Sequence, residues 1–275
     1  MKVLPDTKAY CEKHDVEYDA GQIQLREMIV ISPCPECIKE AEEASRLEKE
    51  RELQFVRDQE MSRKFMRANI PPRYTTRNFN NFSCQSKEQQ VALEKAKIYS
   101  SRIAENMKTG ASLILTGKPG TGKTHLACAV ANEFISSGGK ALFITVSGMI
   151  RKIRESYRRD SDKTEQEAIN EFRDIPLLII DEVGIQKGSE SEEHLLFEVI
   201  NERYSYFRPT IIISNETLVG IKNYIGERAM DRMVEGGGDF IQFTWDSYRS
   251  KVKDDENLGG ADEAKYTQQK KTEYI

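Results

Sequence analysis

The sequence predicts an α/β fold, a five-stranded parallel sheet covered by helices on both faces, preceded by a small cysteine-bearing module and a linker helix. Three observations predict it. Short apolar runs alternate with amphipathic stretches between Leu113 and Trp245, a glycine-rich loop separates the first run from a helical one, and Pro71-Pro72 ends a long charged stretch just before this region.

The elements follow in order. Residues 1–40 hold three of the five cysteines, one of the three histidines and X-Pro breaks on either side of Cys34, so they read as a separate unit. Residues 41–69, with AEEASRLEKERELQFVRDQEMSRKFM at their heart, are rich in strong helix formers and free of Gly and Pro, which predicts one long helical linker. Ile70-Pro71-Pro72 stops it, because proline lacks an amide donor and restricts the residue before it. The main domain is expected over 70–250. Its strands are placed at Leu113–Thr116, Ala141–Val146, Leu177–Ile180, Thr210–Ser214 and Phe240–Trp245, each beside an amphipathic segment, and such alternation specifies a parallel sheet with both faces covered. The polar, Gly-interrupted stretch 251–275 reads as a disordered tail.

Charge excludes one class of function. Charged residues make up 31% of the 275-residue chain yet sum to only −4, so no bulk basic field marks a nucleic-acid binder and any such contact must come from a local patch. No signal-peptide succession opens the chain, and no apolar run reaches the roughly 20 residues that span a bilayer, so a cytoplasmic protein is expected. The odd cysteine count points to reduced thiols or metal ligands. Cys84 and Cys128 stand alone and read as packing residues.

Gly117-Lys118-Pro119-Gly120-Thr121-Gly122-Lys123-Thr124 fits G-x-x-x-x-G-K-T, with an apolar strand before it and a helix after it, on which His125 directly follows the loop and joins the candidate nucleotide-binding residues. Glycines let main-chain amides curl around phosphates and the helix N-terminus adds positive potential. Lys123 neutralises β/γ oxygens, and the Thr124 hydroxyl can ligate Mg²⁺, so ATP with Mg²⁺ is the expected ligand. Leu177 to Ile180 form a buried run whose exit carries Asp181-Glu182, at the carboxyl edge where ligands of open α/β sheets bind. Asp181, at the end of a strand expected to neighbour the loop's own, should join the Mg²⁺ shell; Glu182 suits the orientation or deprotonation of a water. Asn215, at the exit of the Thr210–Ser214 strand, could position that water or sense the γ-phosphate.

These residues also carry a resemblance. GKPGTGKTHLA, IIDEVG, ISN, GERAMDRM and FTWDSYRS closely resemble the DnaC-type helicase loaders, prophage versions included, within the AAA+ superfamily and beside the IstB transposition ATPases. The likeness spans about residues 70 to 250. It implies an AAA+ P-loop ATPase. It further implies an arginine finger reaching a neighbour's γ-phosphate, matched by Arg232 with Arg228 as second choice, and hence head-to-tail self-assembly. The family's second sensor arginine matches Arg249.

Between the second and third strands, Met149 to Arg159 places five basic residues and Tyr157 in a short span, the footprint of phosphate contact with a base stacked on a ring. The corresponding segment of such loaders is implicated in single-stranded DNA binding, which singles out Arg154, Tyr157 and Arg158. In the amino-terminal unit, Cys11-x₂-His14 and Cys34-x₂-Cys37 lie about twenty residues apart, a spacing that lets two turns clamp one tetrahedral Zn²⁺. Four S₃N ligands leave no open position, so this zinc would be structural. Some loaders of this broad class carry a zinc module that docks on the helicase.

The expected function is an ATP-dependent loader of the hexameric replicative helicase onto single-stranded DNA. The alternatives are an IstB-like ATPase assembling on duplex DNA and a small-molecule kinase, which the paired acids and trans-type arginine disfavour.

Overall fold

The structure, a computed structural model, describes residues 2–26, 28–184 and 189–248; the expected tail 251–275 and Arg249 lie outside the described residues. The chain divides into two compact units, Met1–Glu60 and Met61–Ile275.

The first unit is built on an antiparallel three-stranded meander, β1 (Lys2–Cys11), β2 (Val16–Leu25) and β3 (Met28–Ile31), in that spatial order. Cys11 pairs with Val16 across a tight turn in which Asp15 takes the left-handed conformation (φ 53°). Helix α1 (Pro35–Arg67) begins several residues before the helical stretch read from sequence, because proline's fixed φ and missing N–H suit the first position of a helix. Cys37 therefore lies in its first turn rather than in a loop. None of α1's residues is buried.

The second unit contains the parallel sheet: β4 (Leu113–Gly117), β5 (Ala141–Thr145), β6 (Leu177–Asp181), β7 (Thr210–Ser214) and β8 (Asp239–Phe243), ordered β5-β6-β7-β4-β8. The sequence reading sets the strand carrying Asp181 beside β4; β7 instead lies between them. The last strand starts at Asp239 and ends at Phe243, leaving Thr244 and Trp245 outside the sheet.

Alternating strand residues supply two cores, since successive side chains point to opposite faces. Leu113, Leu115, Ile179, Ile211 and Ile213 pack with α2 (Lys87–Ser101) and α4 (Lys123–Ser136). On the other face, Ile114, Leu178, Ile180 and Ile212 pack with α5 (Val146–Arg154), α6 (Glu165–Asp174) and α7 (Glu190–Ser205), together with α8 (Leu218–Ile225) and α9 (Glu227–Val234). The remaining helix, α3 (Ile103–Thr109), ends at Gly110 in the left-handed conformation.

At the amino edge of the sheet the Arg203 side chain of α7 is fully buried. Its guanidinium donates to the Thr210 hydroxyl (2.9 Å) and to the carbonyls of Phe172, Ile175 (2.7 Å) and Pro209 (2.7 Å). These acceptors lie at the end of α6 and at the entries of β6 and β7, so one side chain fixes the start of the two strands whose far ends carry Asp181 and Asn215. Among the described residues no helix is long and apolar enough to cross a membrane.

Candidate functional site

The loop after β4 bends on glycines. Gly117 takes φ 134°, and a Cβ there would collide with the main-chain carbonyl of Phe243 on β8. Gly122 takes φ 102°, and its Cβ would lie 2.6 Å from the Phe82 ring. A side chain at either position would strain the backbone, and at Gly117 it would also force the loop away from β8. Helix α4 starts at Lys123, so its amino end turns the positive pole of the helix dipole towards the loop, a polarity that favours an anion there.

Lys123 is 5% exposed, and its Nζ donates to the carbonyls of Gly117 and Lys118, both at 2.7 Å. Thr124 Oγ1 donates to Asp181 Oδ2 at 3.3 Å, and the Glu182 amide donates to Asp181 Oδ1 at 2.7 Å. Burial pushes the Asp181 carboxyl above its ordinary value, while those two donors oppose the shift. Glu182 adopts φ 64°, uncommon for a residue with a side chain, and the strand exit turns sharply there. Asp181, Glu182 and Asn215 all line one cavity of about 800 Å³ together with Pro119 to His125. The glycine loop, the helix start, the buried ammonium and the hydroxyl–carboxylate pair fit a Mg²⁺-bound triphosphate.

The cavity has a flank that sequence reasoning missed. Arg73, Tyr74, Arg77 and Phe82 line it from the segment before α2. That segment is pinned to α4 by Asn132, whose Nδ2 is 3.0, 3.2 and 2.8 Å from the carbonyls of Tyr74, Thr75 and Arg77. His125 Nε2–H donates to the Asn78 carbonyl at 3.0 Å, and the Phe82 ring meets the imidazole edge-on at 5.3 Å. Burial holds this imidazole below its usual pKa. The signal for a structured turn was present in Asn78, Asn80 and Asn81, residue types that bond their own backbone, as Asn78 and Asn81 do.

Arg232 does not line the cavity: it bonds to Asn201 Oδ1 and stands over the rings of Phe197 (5.6 Å) and Tyr204 (5.3 Å). Arg228, on the same helix, is exposed. On α5, Met149, Ile150 and Ile153 are buried, which leaves Arg151, Lys152 and Arg154 exposed with Tyr157, Arg158 and Arg159 beyond the helix end. Arg154 pairs with Glu192 at 3.3 Å and the Tyr157 hydroxyl donates to Glu165, so acids already engage two members of this cationic face.

In the first unit the ligand atoms of Cys11, His14, Cys34 and Cys37 all lie within 4.8 Å of one another. His14 Nδ1 is 3.6, 3.3 and 3.5 Å from the sulfurs of Cys11, Cys34 and Cys37, and the Cys11 and Cys37 sulfurs are 3.7 Å apart. Metal–sulfur bonds of about 2.3 Å place tetrahedral ligands at about 3.8 Å, so the set fits Zn²⁺. Glu40, unnoticed in the sequence, accepts from His14 Nε2 at 3.1 Å and directs Nδ1 towards the sulfurs. The Glu40 carboxylate holds the His14 imidazole up at about 9, and the main-chain amide of His14 is the largest cause that brings Cys11 down to about 6.

The family described as IstB-like ATP binding protein matches residues 20–256. The replicative helicase loader DnaC of Escherichia coli (strain K12) is 37% identical over 196 residues, which cover 71% of this chain and 78% of that protein. The loader DnaC of Buchnera aphidicola subsp. Schizaphis graminum is 35% identical over 215 residues, 78% of this chain and 86% of that one. Among solved structures, a DnaC helicase loader superposes with a TM-score of 0.56 at 21% identity, covering 63% of this chain and 100% of that one. AMPPCP-bound DnaA from Aquifex aeolicus follows at 0.53 and 22%, covering 71% and 59%. The order β5-β6-β7-β4-β8, the glycine loop and the Asp181 exit form the AAA+ ATPase-family fold, and the chain belongs to the IstB/DnaC family of ATP-binding proteins.

Proposed function

We propose that this chain is an ATP-dependent loader that places a hexameric replicative helicase on single-stranded DNA in the cytoplasm, with nucleotide state timing release. The observation that carries the reading is the meeting of Thr124 and Asp181 at 3.3 Å inside the cavity, in a chain 37% identical to a helicase loader. Bound Mg²⁺ would supply charge neutralisation at the β- and γ-phosphates. Thr124 and Asp181 hold that ion, Gly117 to Thr124 cradle the phosphates and Lys123 exchanges its loop carbonyls for phosphate oxygens. Glu182 orients and deprotonates the attacking water, which Asn215 helps to place.

Arg232 is the group for a neighbour's γ-phosphate in a head-to-tail assembly, with Arg228 beside it, and Arg249 serves as the second sensor. Arg154, Tyr157 and Arg158 contact DNA once Glu192 and Glu165 release the first two. The module 1–40, held by Zn²⁺ on Cys11, His14, Cys34 and Cys37, and the helix over 41–69 grip the helicase, while 70–250 acts as the ATPase.

The test is a pull-down from host lysate with and without ATP, repeated with Lys123→Ala. ATP-sensitive capture of a hexameric helicase by the parent and not by the variant is expected; capture of no helicase removes the loader reading. The family match at residues 20–256 favours one second reading, an IstB-like ATPase that assembles on duplex DNA. Filaments on duplex, seen by electron microscopy, would select it.

A further inference from the structure

The segment leaving β8 is tied to the glycine loop at three points. Trp245 Nε1–H donates to the Thr121 carbonyl at 3.0 Å, the main-chain N–H of Tyr248 donates to the Gly120 carbonyl at 2.9 Å, and Lys118 Nζ stands 3.1 Å from Asp246 Oδ1. The last pair is exposed and contributes little by itself. The first two differ, because they act on the peptide units of the loop.

In a trans peptide the carbonyl of one residue and the N–H of the next point in opposite directions, and no cis peptide occurs among the described residues. A donor holding the Gly120 carbonyl therefore fixes the direction of the Thr121 N–H, and the indole on the Thr121 carbonyl fixes the Gly122 N–H. Both peptides adjoin glycines in the left-handed region, Gly120 at φ 75° and Gly122 at 102°, where the chain has most freedom to turn a peptide over. The Trp245 ring is itself seated on Phe243, centroids 4.9 Å apart, so the indole is a stationary donor. Trp245 and Tyr248 also line the cavity.

We propose that Trp245 is a positioning residue of the phosphate cradle: by holding the Thr121 carbonyl it sets the Gly122 amide for phosphate before nucleotide arrives. Ordering that loop is then not charged against binding, which is how preorganisation raises affinity. The inference rests on the reading of this cavity as a triphosphate site.

Trp245→Phe keeps a ring on Phe243 and removes the donor. In the full chain with zinc, titration calorimetry with MgATP, MgADP and adenosine distinguishes the outcomes. The variant is expected to bind MgATP and MgADP roughly 3- to 10-fold more weakly, the worth of one net hydrogen bond, with adenosine affinity unchanged. Because Trp245 is the sole tryptophan, emission of the parent should also shift with MgATP and not with adenosine. Equal MgATP affinity in parent and variant overturns the proposal, as does an equal loss for adenosine, which would make the ring a wall of the base pocket. A parent that binds no MgATP overturns the triphosphate reading instead.

Discussion

Thr124 Oγ1 stands 3.3 Å from Asp181 Oδ2, joining the first turn of α4 to the exit of β6 across the carboxyl end of the intervening strand β7. A hydroxyl and a carboxylate at that spacing share a divalent ion with little rearrangement. Asp181→Asn should keep the hydrogen bond while losing the charge, and Mg²⁺-dependent ATP affinity should fall roughly 10- to 100-fold. Calorimetry with and without Mg²⁺ checks this; an unchanged Mg²⁺ dependence would place the ion elsewhere.

Lys123 and Glu182 separate binding from turnover. Lys123→Ala removes the buried ammonium and should abolish measurable ATP binding. Glu182→Gln keeps the shape and removes the base, so ATP should stay bound while hydrolysis slows by roughly 10²- to 10⁴-fold. Fluorescent-nucleotide binding and phosphate release, measured on both variants, give the split.

Cys128 predicts an alkaline limit. Its thiol, fully buried in α4, is raised from 9.0 to about 12 by desolvation, so the folded chain holds this proton more tightly than the unfolded one. The associated stability is complete below pH 9 and declines as pH rises towards 12. Buried Tyr99, also raised, adds to the decline from about pH 10. The thermal midpoint should fall above pH 9, and Cys128→Ala should flatten the part of that slope nearest to pH 9.

Removing zinc should unfold the amino-terminal unit alone. The meander leaves Val3, Met28, Ile29, Val30 and Ile31 exposed, so under the proposed zinc reading the metal, rather than a core, supplies its folding energy. A strong chelator, or Cys34→Ser, should open residues 1–40 to protease while the ATPase domain keeps its melting transition. Retention of a resistant 1–40 fragment in metal-free protein would count against the assignment.

Tyr157→Ala should weaken single-stranded DNA binding by about 1–3 kcal/mol, the worth of one stacked base, with the salt dependence unchanged. Arg158→Ala should instead reduce the salt slope by about 0.7. Fluorescence anisotropy over a salt series tests both.

The sequence carried the parts of the site that lie in short spans. Leu177 to Ile180 and Thr210 to Ser214 are legible because a strand buried on both faces must be apolar throughout, and the glycine loop is legible because its chemistry leaves few substitutions. The Cys11, His14, Cys34 and Cys37 set is picked out by its spacing, and the fold places the four ligand atoms within 4.8 Å of one another. What escaped was long-range. The insertion of β7 between β4 and β6 rests on pairings such as Thr116 with Ser214, far apart along the chain. The Asn132 anchor, the Glu40 support of His14 and the Trp245 tie each join residues whose separations follow from the finished fold. The meander was missed because β3 is exposed at every residue and β2 alternates only over its first half.

Arg203 meets only neutral acceptors, carbonyls and a hydroxyl, at the edge of the sheet remote from the glycine loop. No acid in that knot can gain or lose a proton and let go, so acidification has no handle on it. In the proposed ATPase cycle this makes a fixed anvil: β6 and β7 are clamped at their roots, so any displacement between nucleotide states is expected at their tips and in the loops beyond.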